Sequence, residues 1–257
     1  MEKHNRYTQP IKSFLNDLND FQGKCLIFLD TETTGLKGPK VEQLTQIAAI
    51  AVHMMNGEFV MFSSYNHKIE LTSKTWDRIE KEPDSDWNVK NVLKFNHYLE
   101  WDRKYIPESK AITSLLKWID KVKGDKEILM VIQNVWFDKT MIEGRSNKKL
   151  DFEMLDTKHV AQFQLLPLFQ TLAETDNKYK TILSRIGTSK SNRDNGLLSS
   201  SLSNIANGLG VNADNPHDAL SDCLVLMDVL YEAYNLLVTN SNVNIEKYQQ
   251  ICLATKK

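Results

Sequence analysis

The sequence predicts an α/β domain built on a mixed five-stranded sheet. Its first half contains three consecutive strand-like apolar runs, and its second half alternates shorter apolar runs with amphipathic helical patterns. The chain has 257 residues, of which 41% are apolar and 25% charged, and this composition is sufficient to bury one large core. We therefore expect one domain at residues 23 to 238, preceded by a helical extension at 1 to 22 and followed by a tail at 239 to 257.

Three strands are predicted at the start of this domain. The run from Cys25 to Leu29 is continuously apolar and ends at Asp30, as a strand buried on both faces would. Two further apolar runs, 46 to 54 and 58 to 65, are joined by Asn56-Gly57, the dipeptide that best fits a type I′ hairpin turn. The last two of the three strands are therefore expected to be antiparallel.

The second half of the domain is predicted to consist of βα units, because strand and helix patterns alternate along it. The predicted elements are a helix at 109 to 122, a strand at 127 to 133, a short helix after Val135, a strand near 152 to 156 leading into a helix, a helix closed by Gly208 and Gly210, and a helix from about 217 to 238. Apolar side chains at helical spacing also predict a helix at 11 to 21 in the extension.

Composition and charge exclude several classes of protein. The longest clear apolar run, Ile47 to Val52, is far shorter than the roughly 18 residues of a membrane helix, and the first residues lack a secretory apolar core. A cytoplasmic location without a membrane partner is the resulting expectation. The three cysteines form no CxxC pair, which argues against a disulfide framework or a structural zinc site, and Cys25 and Cys223 are expected in the core. The net charge is −1, so any site for a polyanion must be local.

Asp30 and Glu32 stand at the C-terminal end of the first predicted strand. Strand alternation places both carboxylates on one face, about 6.5 to 7 Å apart along the backbone, where they can hold a hard divalent cation. A polar strand end or a helix cap is the structural alternative. The next four residues form a tight turn in which glycine lets the backbone approach a ligand closely; they are Thr33, Thr34, Gly35 and Leu36.

Asn134 to Asp138 follow the fourth predicted strand directly. Ligands of open α/β sheets collect at this carboxyl edge, so Asp138 is a second candidate site residue. If a helix begins near Val135, Asp138 instead lies in its first turn, where the helix dipole favours a carboxylate without any further function.

His217 and Asp222 lie at the start of the last predicted helix. Five helical positions rotate their side chains about 140° apart, so the two can flank one site only if His217 is near the helix start. Asp218 is the better candidate for the N-cap, whereas Asp222 is the exceptional acid in an otherwise apolar helix.

Three short motifs in the order DxE, NxxxD and HxxxxD are much less probable by chance than any one alone. FLDTETTGL, NVWFD and HDALSD resemble the three exonuclease motifs of the DEDDh branch of the DnaQ-like 3′-5′ exonucleases, and the resemblance covers about residues 24 to 235. It implies a ribonuclease H-like fold with helices on both faces of the sheet, and two-metal hydrolysis of a 3′-terminal phosphodiester to nucleoside monophosphates.

The resemblance also implies roles for individual residues. His217 would be the general base, and two divalent ions, Mg²⁺ or Mn²⁺, would be bound by four acids: Asp30, Glu32, Asp138 and Asp222. The 3′-terminal nucleotide would be held by Thr33, Thr34, Gly35, Leu36, Asn134 and Phe137, with Leu36 against the base. Gln133 and the bulky Trp136 depart from the pattern of the second motif, and this departure concerns the fit of the substrate rather than the metals.

The expected partner is the 3′ end of single-stranded DNA or RNA, with DNA preferred, and a polymerase or replication proteins are further candidate partners. Residues 68 to 108 interleave aromatic with charged side chains; they form either an inserted helical subdomain with a small core or a surface on which bases stack. Residues 178 to 193 contain five basic residues and no acid, which indicates a flexible loop that contacts phosphates or simply faces solvent.

Three other functions stay open. One is a 3′-5′ exoribonuclease of the ribonuclease T or oligoribonuclease type, since no residue can be assigned to recognition of the 2′-hydroxyl. Another is a haloacid dehalogenase-like phosphatase with Asp30 as its nucleophile, although that class gives no joint role to Asn134, Asp138 and His217. The third is a non-catalytic nucleic-acid-binding module, in which four mutually repelling carboxylates would have no use. The oligomeric state is open as well.

Overall fold

The strands form one mixed sheet, as predicted. The computed structural model describes residues 21, 23–81, 98, 104–188 and 198–238, and within them the strand order is β3-β2-β1-β4-β5. The bounds are β1 (Cys25–Thr33), β2 (Leu44–Met55), β3 (Glu58–Lys68), β4 (Ile128–Ile132) and β5 (Glu153–Asp156). The β1–β2 and β2–β3 pairs are antiparallel, whereas β1–β4 and β4–β5 are parallel.

The β2–β3 hairpin turns at the predicted dipeptide. Asn56 has φ 52° and Gly57 has φ 84°, and two consecutive positive φ angles are the requirement of a type I′ turn. The turn, together with a β-bulge between Ala51 and Val52, sets the register that pairs Gln46 with Lys68 at the far end of the hairpin. The hairpin thereby brings a lysine from β3 to the edge of the sheet at which β1 ends.

Helices cover both faces of the sheet. Their bounds are α1 (Ser73–Lys81), α2 (Glu108–Lys123), α3 (Val135–Ser146), α4 (Thr157–Val160), a π-helical turn (Ala161–Leu165), α5 (Leu166–Leu172), α6 (Asn177–Ile186), α7 (Leu202–Leu209) and α8 (Ala219–Val238). The prediction of helices on both faces is confirmed.

Strand β1 separates two hydrophobic cores. Leu26 and Phe28 point toward the core that the helices of the second half form, including α8, whereas Ile27 and Leu29 point toward the core beneath α2 and α3. Both faces of β1 are therefore buried, which explains its continuous apolar run. Cys25 and Cys223 are buried, one in each core, as expected.

The prediction of a basic loop at 178 to 193 is wrong for its first half. Residues 177 to 186 form helix α6, because Tyr179, Ile182 and Ile186 recur at helical spacing and are buried against the core. The second half of that predicted loop, residues 189 to 197, lies outside the described residues.

Leu71, Ile79 and Tyr98 form a small hydrophobic cluster apart from the two main cores. They lie within residues 68 to 108, for which a helical subdomain with a small core was one of the two expectations. The predicted helix at 11 to 21, apart from Phe21, and the predicted tail at 239 to 257 lie outside the described residues. In the described part of the chain no helix has the length and apolarity needed to cross a membrane.

Candidate active site

Strand β1 and helix α8 bring three acids together at the carboxyl edge of β1. Asp30 and Glu32 project from the same face of β1, opposite Ala48 and Gln46 of β2. Asp222 lies in the first turn of α8, which packs on that face. One carboxylate oxygen from each of Asp30, Glu32 and Asp222 lies within 4.8 Å of the others, a spacing that suits shared ligation of a cation.

Asp138 reaches the same place from the opposite face of the sheet. It lies in the first turn of α3, as one of the two interpretations of its position predicted, and it is only 2% exposed. Its Oδ1 accepts hydrogen bonds from the backbone N–H of Thr31 at 3.0 Å and from the Thr31 hydroxyl at 2.6 Å. The Thr31 side chain points to the face of β1 opposite to that of Asp30 and Glu32. The two hydrogen bonds from Thr31 therefore hold Asp138 against the β1 backbone between these two acids. The four acids are called the acid cluster below.

Burial and like charge act together on the acid cluster. The pKa of Asp30 is raised well above the ordinary range by burial first and then by the charges of Asp138, Glu32 and Asp222. Burial and Asp222 likewise raise the pKa of Glu32 well above its ordinary range. Burial raises the pKa of Asp138 to about 7 and that of Asp222 to about 6, although the hydrogen bonds that each accepts oppose the rise. Near neutral pH the cluster therefore resists carrying its full negative charge.

His217 lies in the turn just before α8, with an exposed side chain. Its backbone has φ 69°, an uncommon conformation for a residue with a side chain, and its N–H donates to Oδ2 of Asp222 at 3.1 Å. Asp218 is the N-cap of α8, as predicted, because its Oδ1 accepts a hydrogen bond from the N–H of Ser221. His217 thus meets the condition of being near the helix start.

A buried polar network that the sequence did not reveal holds the start of α8 against the sheet. Lys68 is 1% exposed; its Nζ donates to Oε1 of Gln46 at 2.7 Å and lies 3.6 Å from Oδ2 of Asp218. Gln46 also accepts from the N–H of Ala219 and donates to Asp218. The network fixes the segment that carries His217 and Asp222, and the Lys68 charge opposes the rise in the pKa of Glu32. The sequence signal that could have indicated this network is Gln46, a polar residue near the start of the apolar run of β2.

Residues Thr33 to Leu36 follow Glu32; they are called the nucleotide turn below because the resemblance assigns them to the 3′-terminal nucleotide. The Thr33 hydroxyl donates to the carbonyl of Gly35 at 2.8 Å, and Thr34 is fully buried. A Cβ atom on Gly35 would lie 2.8 Å from a carboxylate oxygen of Glu42, so the close approach expected of this glycine is made to Glu42. Leu36 is 86% exposed, which leaves an apolar side chain at the surface beside the acids.

The second motif lies where β4 ends and α3 begins. Asn134 has φ 69° and caps α3, and its N–H donates to Asp156 at 3.2 Å. Phe137 packs against the core beneath α2 and α3, whereas Trp136 is 56% exposed. Gln133 binds Thr157 and the Ser200 carbonyl, which explains a glutamine at this position. The substrate contacts of Asn134 and Phe137 stay predictions.

Comparison with known proteins identifies the fold. No protein-family model and no curated protein matches the sequence. Among solved structures, E. coli exonuclease I in complex with a dT13 oligonucleotide is 17% identical, with a TM-score of 0.52 over 88% of this chain and 43% of that chain. The nuclease domain of 3′hExo, described as a DEDDh family member bound to rAMP, is 12% identical, with a TM-score of 0.52 over 84% of this chain and 93% of that one.

The chain spans less than half the length of exonuclease I and matches most of the 3′hExo nuclease domain. At such low identity the similarity establishes architecture alone. The shared features are the mixed five-stranded sheet and the helices on its two faces. The chain therefore has the ribonuclease H-like α/β fold of these exonucleases.

Proposed function

We propose that the protein is a metal-dependent 3′-5′ exonuclease that releases nucleoside monophosphates from single-stranded nucleic acid. The observation that carries the proposal is the acid cluster, in which three carboxylates lie within 4.8 Å of one another and Asp138 approaches from the other face. The shared fold with E. coli exonuclease I and the 3′hExo nuclease domain supports it. A phosphatase would give no role to Asp138, which is held beside Asp30.

The acids fit hard divalent cations such as Mg²⁺ or Mn²⁺, which prefer oxygen ligands. Asp30, Glu32 and Asp222 would hold one ion, and Asp138 would complete the ligand set for two. The raised pKa values of Asp30 and Glu32 agree with this, because positive charge is what the cluster lacks. When bound, such ions supply a more acidic water and a stabilised leaving oxygen.

The chain's own residues would position the substrate and move the proton. A nitrogen of the His217 imidazole accepts a proton from the attacking water. The water oxygen bonds to the terminal phosphorus, and the bond from phosphorus to the 3′ oxygen of the preceding nucleotide breaks. The leaving oxygen takes a proton from solvent, and the exposed His217 returns its proton to solvent. The products are a nucleoside 5′-monophosphate and a strand with a new 3′-hydroxyl. The nucleotide turn would hold the terminal nucleotide, with the exposed Leu36 against its base.

We propose single-stranded DNA as the preferred substrate. Exonuclease I was solved with a dT13 oligonucleotide, and 3′hExo with rAMP, so both sugars occur among proteins of this fold. The dT13 complex of exonuclease I supports the choice of DNA. An exoribonuclease is the second candidate, which the 3′hExo similarity favours.

The test is digestion of 5′-labelled single-stranded DNA and RNA of one sequence, side by side, in Mg²⁺, Mn²⁺ or EDTA. We expect a ladder that shortens from the 3′ end, requires the metal, and is stronger on DNA. Asp30→Asn should abolish it. Asp228→Asn, an exposed acid farther along α8, is the matched control and should keep it. Digestion that continues in EDTA, or in Asp30→Asn, would reject the metal-dependent mechanism.

A further inference from the structure

A buried carboxylate that does not belong to the acid cluster lies directly beneath the nucleotide turn. Glu42 is 2% exposed, and its Oε2 accepts hydrogen bonds from the hydroxyl of Thr34 at 2.7 Å and from Nη2 of Arg78 at 2.7 Å. Gly35 also packs closely against this carboxylate, since a Cβ atom added to Gly35 would lie 2.8 Å from Oε1 of Glu42. Glu42 therefore supports two consecutive residues of the turn.

Arg78 closes this arrangement from helix α1. The nitrogen that binds Glu42 also donates to the Thr34 hydroxyl at 2.9 Å, so Arg78, Glu42 and Thr34 form a closed ring of charge-assisted hydrogen bonds. The Thr34 hydroxyl accepts a further bond from the N–H of Gln43 at 2.9 Å. Its donor and acceptor sites are used, which fixes the rotamer of Thr34 within the turn.

Gln43 attaches the same loop to the region around α1 a second time. Its Nε2 donates to the carbonyl of Glu70 at 2.8 Å, and its Oε1 accepts from the hydroxyl of Thr75 at 2.8 Å and from the N–H of Thr72 at 3.1 Å. Adjacent residues Glu42 and Gln43 are thus both bound by residues that follow β3. Hydrogen bonds of Glu42 and Gln43 therefore connect the loop beneath the nucleotide turn to α1 and to the residues just before it.

We infer that Arg78 is a positioning residue of the nucleotide turn, and that α1 thereby sets how tightly the 3′-terminal nucleotide binds. The inference rests on the proposed function. Arg78 binds Glu42 and Thr34, which belong to the turn and its support rather than to the acid cluster. Its loss should displace the turn and weaken binding of the nucleotide, while the acids that carry the chemistry keep their places.

The test compares Arg78→Gln, Arg78→Lys and Thr34→Val by steady-state digestion of labelled single-stranded DNA. We expect Arg78→Gln to raise KM about tenfold or more with kcat within about threefold of the wild type. Arg78→Lys should recover part of the loss, because lysine keeps the charge but presents a compact ammonium in place of the planar guanidinium. Thr34→Val removes the two bonds of the ring that involve the hydroxyl but keeps the ion pair of Arg78 with Glu42, so it should raise KM less. Lys81→Gln, exposed in the last turn of the same helix, is the control and should change neither constant.

The result that overturns the inference is an unchanged KM in Arg78→Gln, or a fall in kcat alone. Circular dichroism of each variant shows whether it is folded; if Arg78→Gln is not, the KM values of Arg78→Lys and Thr34→Val decide. A wild-type protein that digests neither DNA nor RNA would reject the proposed function itself. A wild-type ladder with normal KM in the variants would reject only the role of Arg78.

Discussion

The molecule buries carboxylates in two neighbouring places and balances their charge in opposite ways. Beneath the nucleotide turn, Glu42 is matched by the guanidinium of Arg78 at 2.7 Å and by the hydroxyl of Thr34. In the acid cluster, carboxylates face one another, and like charge adds to burial in raising the pKa of Asp30. The charge of Glu42 is matched within the chain, whereas the acid cluster carries more negative charge than the neighbouring Lys68 balances.

The difference is the one expected between a structural carboxylate and the acids of a candidate site. A buried ion pair with satisfied hydrogen bonds holds its geometry without further partners. Crowded like charges destabilise the fold, so a protein that carries them needs another reason to keep them, and perturbed acids in a group mark candidate sites. Lys68 offsets only part of the repulsion, because it is shared with Gln46 and Asp218.

Activity should show the largest contrast between the two sites. Asp30→Asn preserves the shape of the cluster but removes a charged ligand, and we expect kcat/KM to fall by at least about 10³-fold. Glu42→Gln should leave kcat within about tenfold of the wild type, because Glu42 supports the turn and holds no ion. Initial rates on labelled single-stranded DNA measure both. Comparable losses of kcat in Asp30→Asn and Glu42→Gln would contradict the proposal that only the acid cluster takes part in the chemical step.

Stability of the metal-free protein should change with pH through Asp138. Its folded-state pKa of about 7 lies above the ordinary value of 3.8, so the folded state binds more protons than the unfolded chain between these values. Asp138 therefore stabilises the fold fully below about pH 4, and this contribution is lost as the pH rises through about 7. In EDTA, the contribution of Asp138 to the free energy of unfolding should fall by on the order of 4 kcal/mol across this window.

Asp138→Asn is the variant that isolates this effect, since an amide oxygen can accept the two bonds from Thr31 without ionising. In EDTA its denaturation midpoint at pH 8 should exceed that of the wild type, and its pH dependence should be flatter. Added Mg²⁺ should stabilise the wild type more than the variant. A lower midpoint for Asp138→Asn at pH 8 would contradict the view that the ionised Asp138 destabilises the metal-free fold.

The sequence predicted the parts of the site that depend on local periodicity. Strand alternation placed Asp30 and Glu32 on one face, and the helix start placed His217 beside Asp222. The β2–β3 hairpin follows from its turn dipeptide for the same reason, whereas the strand order also depends on the pairing of β1 with the distant β4, which was not predicted. These features needed only the period of a strand or helix and the chemistry of a turn.

The parts that could not be predicted depend on partners far apart in the chain. Thr31 and Asp138 are separated by 107 positions, and Gln46 and Asp218 by 172. Arg78 reaches Glu42 across 36 positions from a segment whose role the sequence left open. Such pairs are fixed by the packing of helices on the sheet, which no local pattern specifies. The loop prediction for the basic stretch at 178 to 193 was wrong for a different reason: the charges lie on the exposed face of α6, and the apolar spacing of its buried face determines the helix.

Stability should respond to Glu42→Gln in the opposite direction to Asp138→Asn. The substitution leaves the Arg78 guanidinium, which is partly buried, without its carboxylate, and we expect a loss of about 2 kcal/mol in the free energy of unfolding. Urea denaturation at pH 8 in EDTA measures both variants under one condition. Stabilisation by Glu42→Gln would mean that this carboxylate, too, is held against repulsion.

Thr31→Val should have the smallest effect and tests how Asp138 is held. Valine has nearly the shape of threonine but lacks the hydroxyl that donates to Asp138 at 2.6 Å, while the backbone N–H bond is kept. Groups that orient a metal ligand typically contribute about tenfold or more to metal affinity or activity, so the Mg²⁺ concentration for half-maximal digestion should rise about tenfold. Thr31→Ser keeps the hydroxyl and is the matched control, for which the Mg²⁺ requirement should stay near that of the wild type. An unchanged requirement in Thr31→Val would show that the backbone N–H alone orients Asp138, and the hydroxyl would then serve only to satisfy a buried carboxylate.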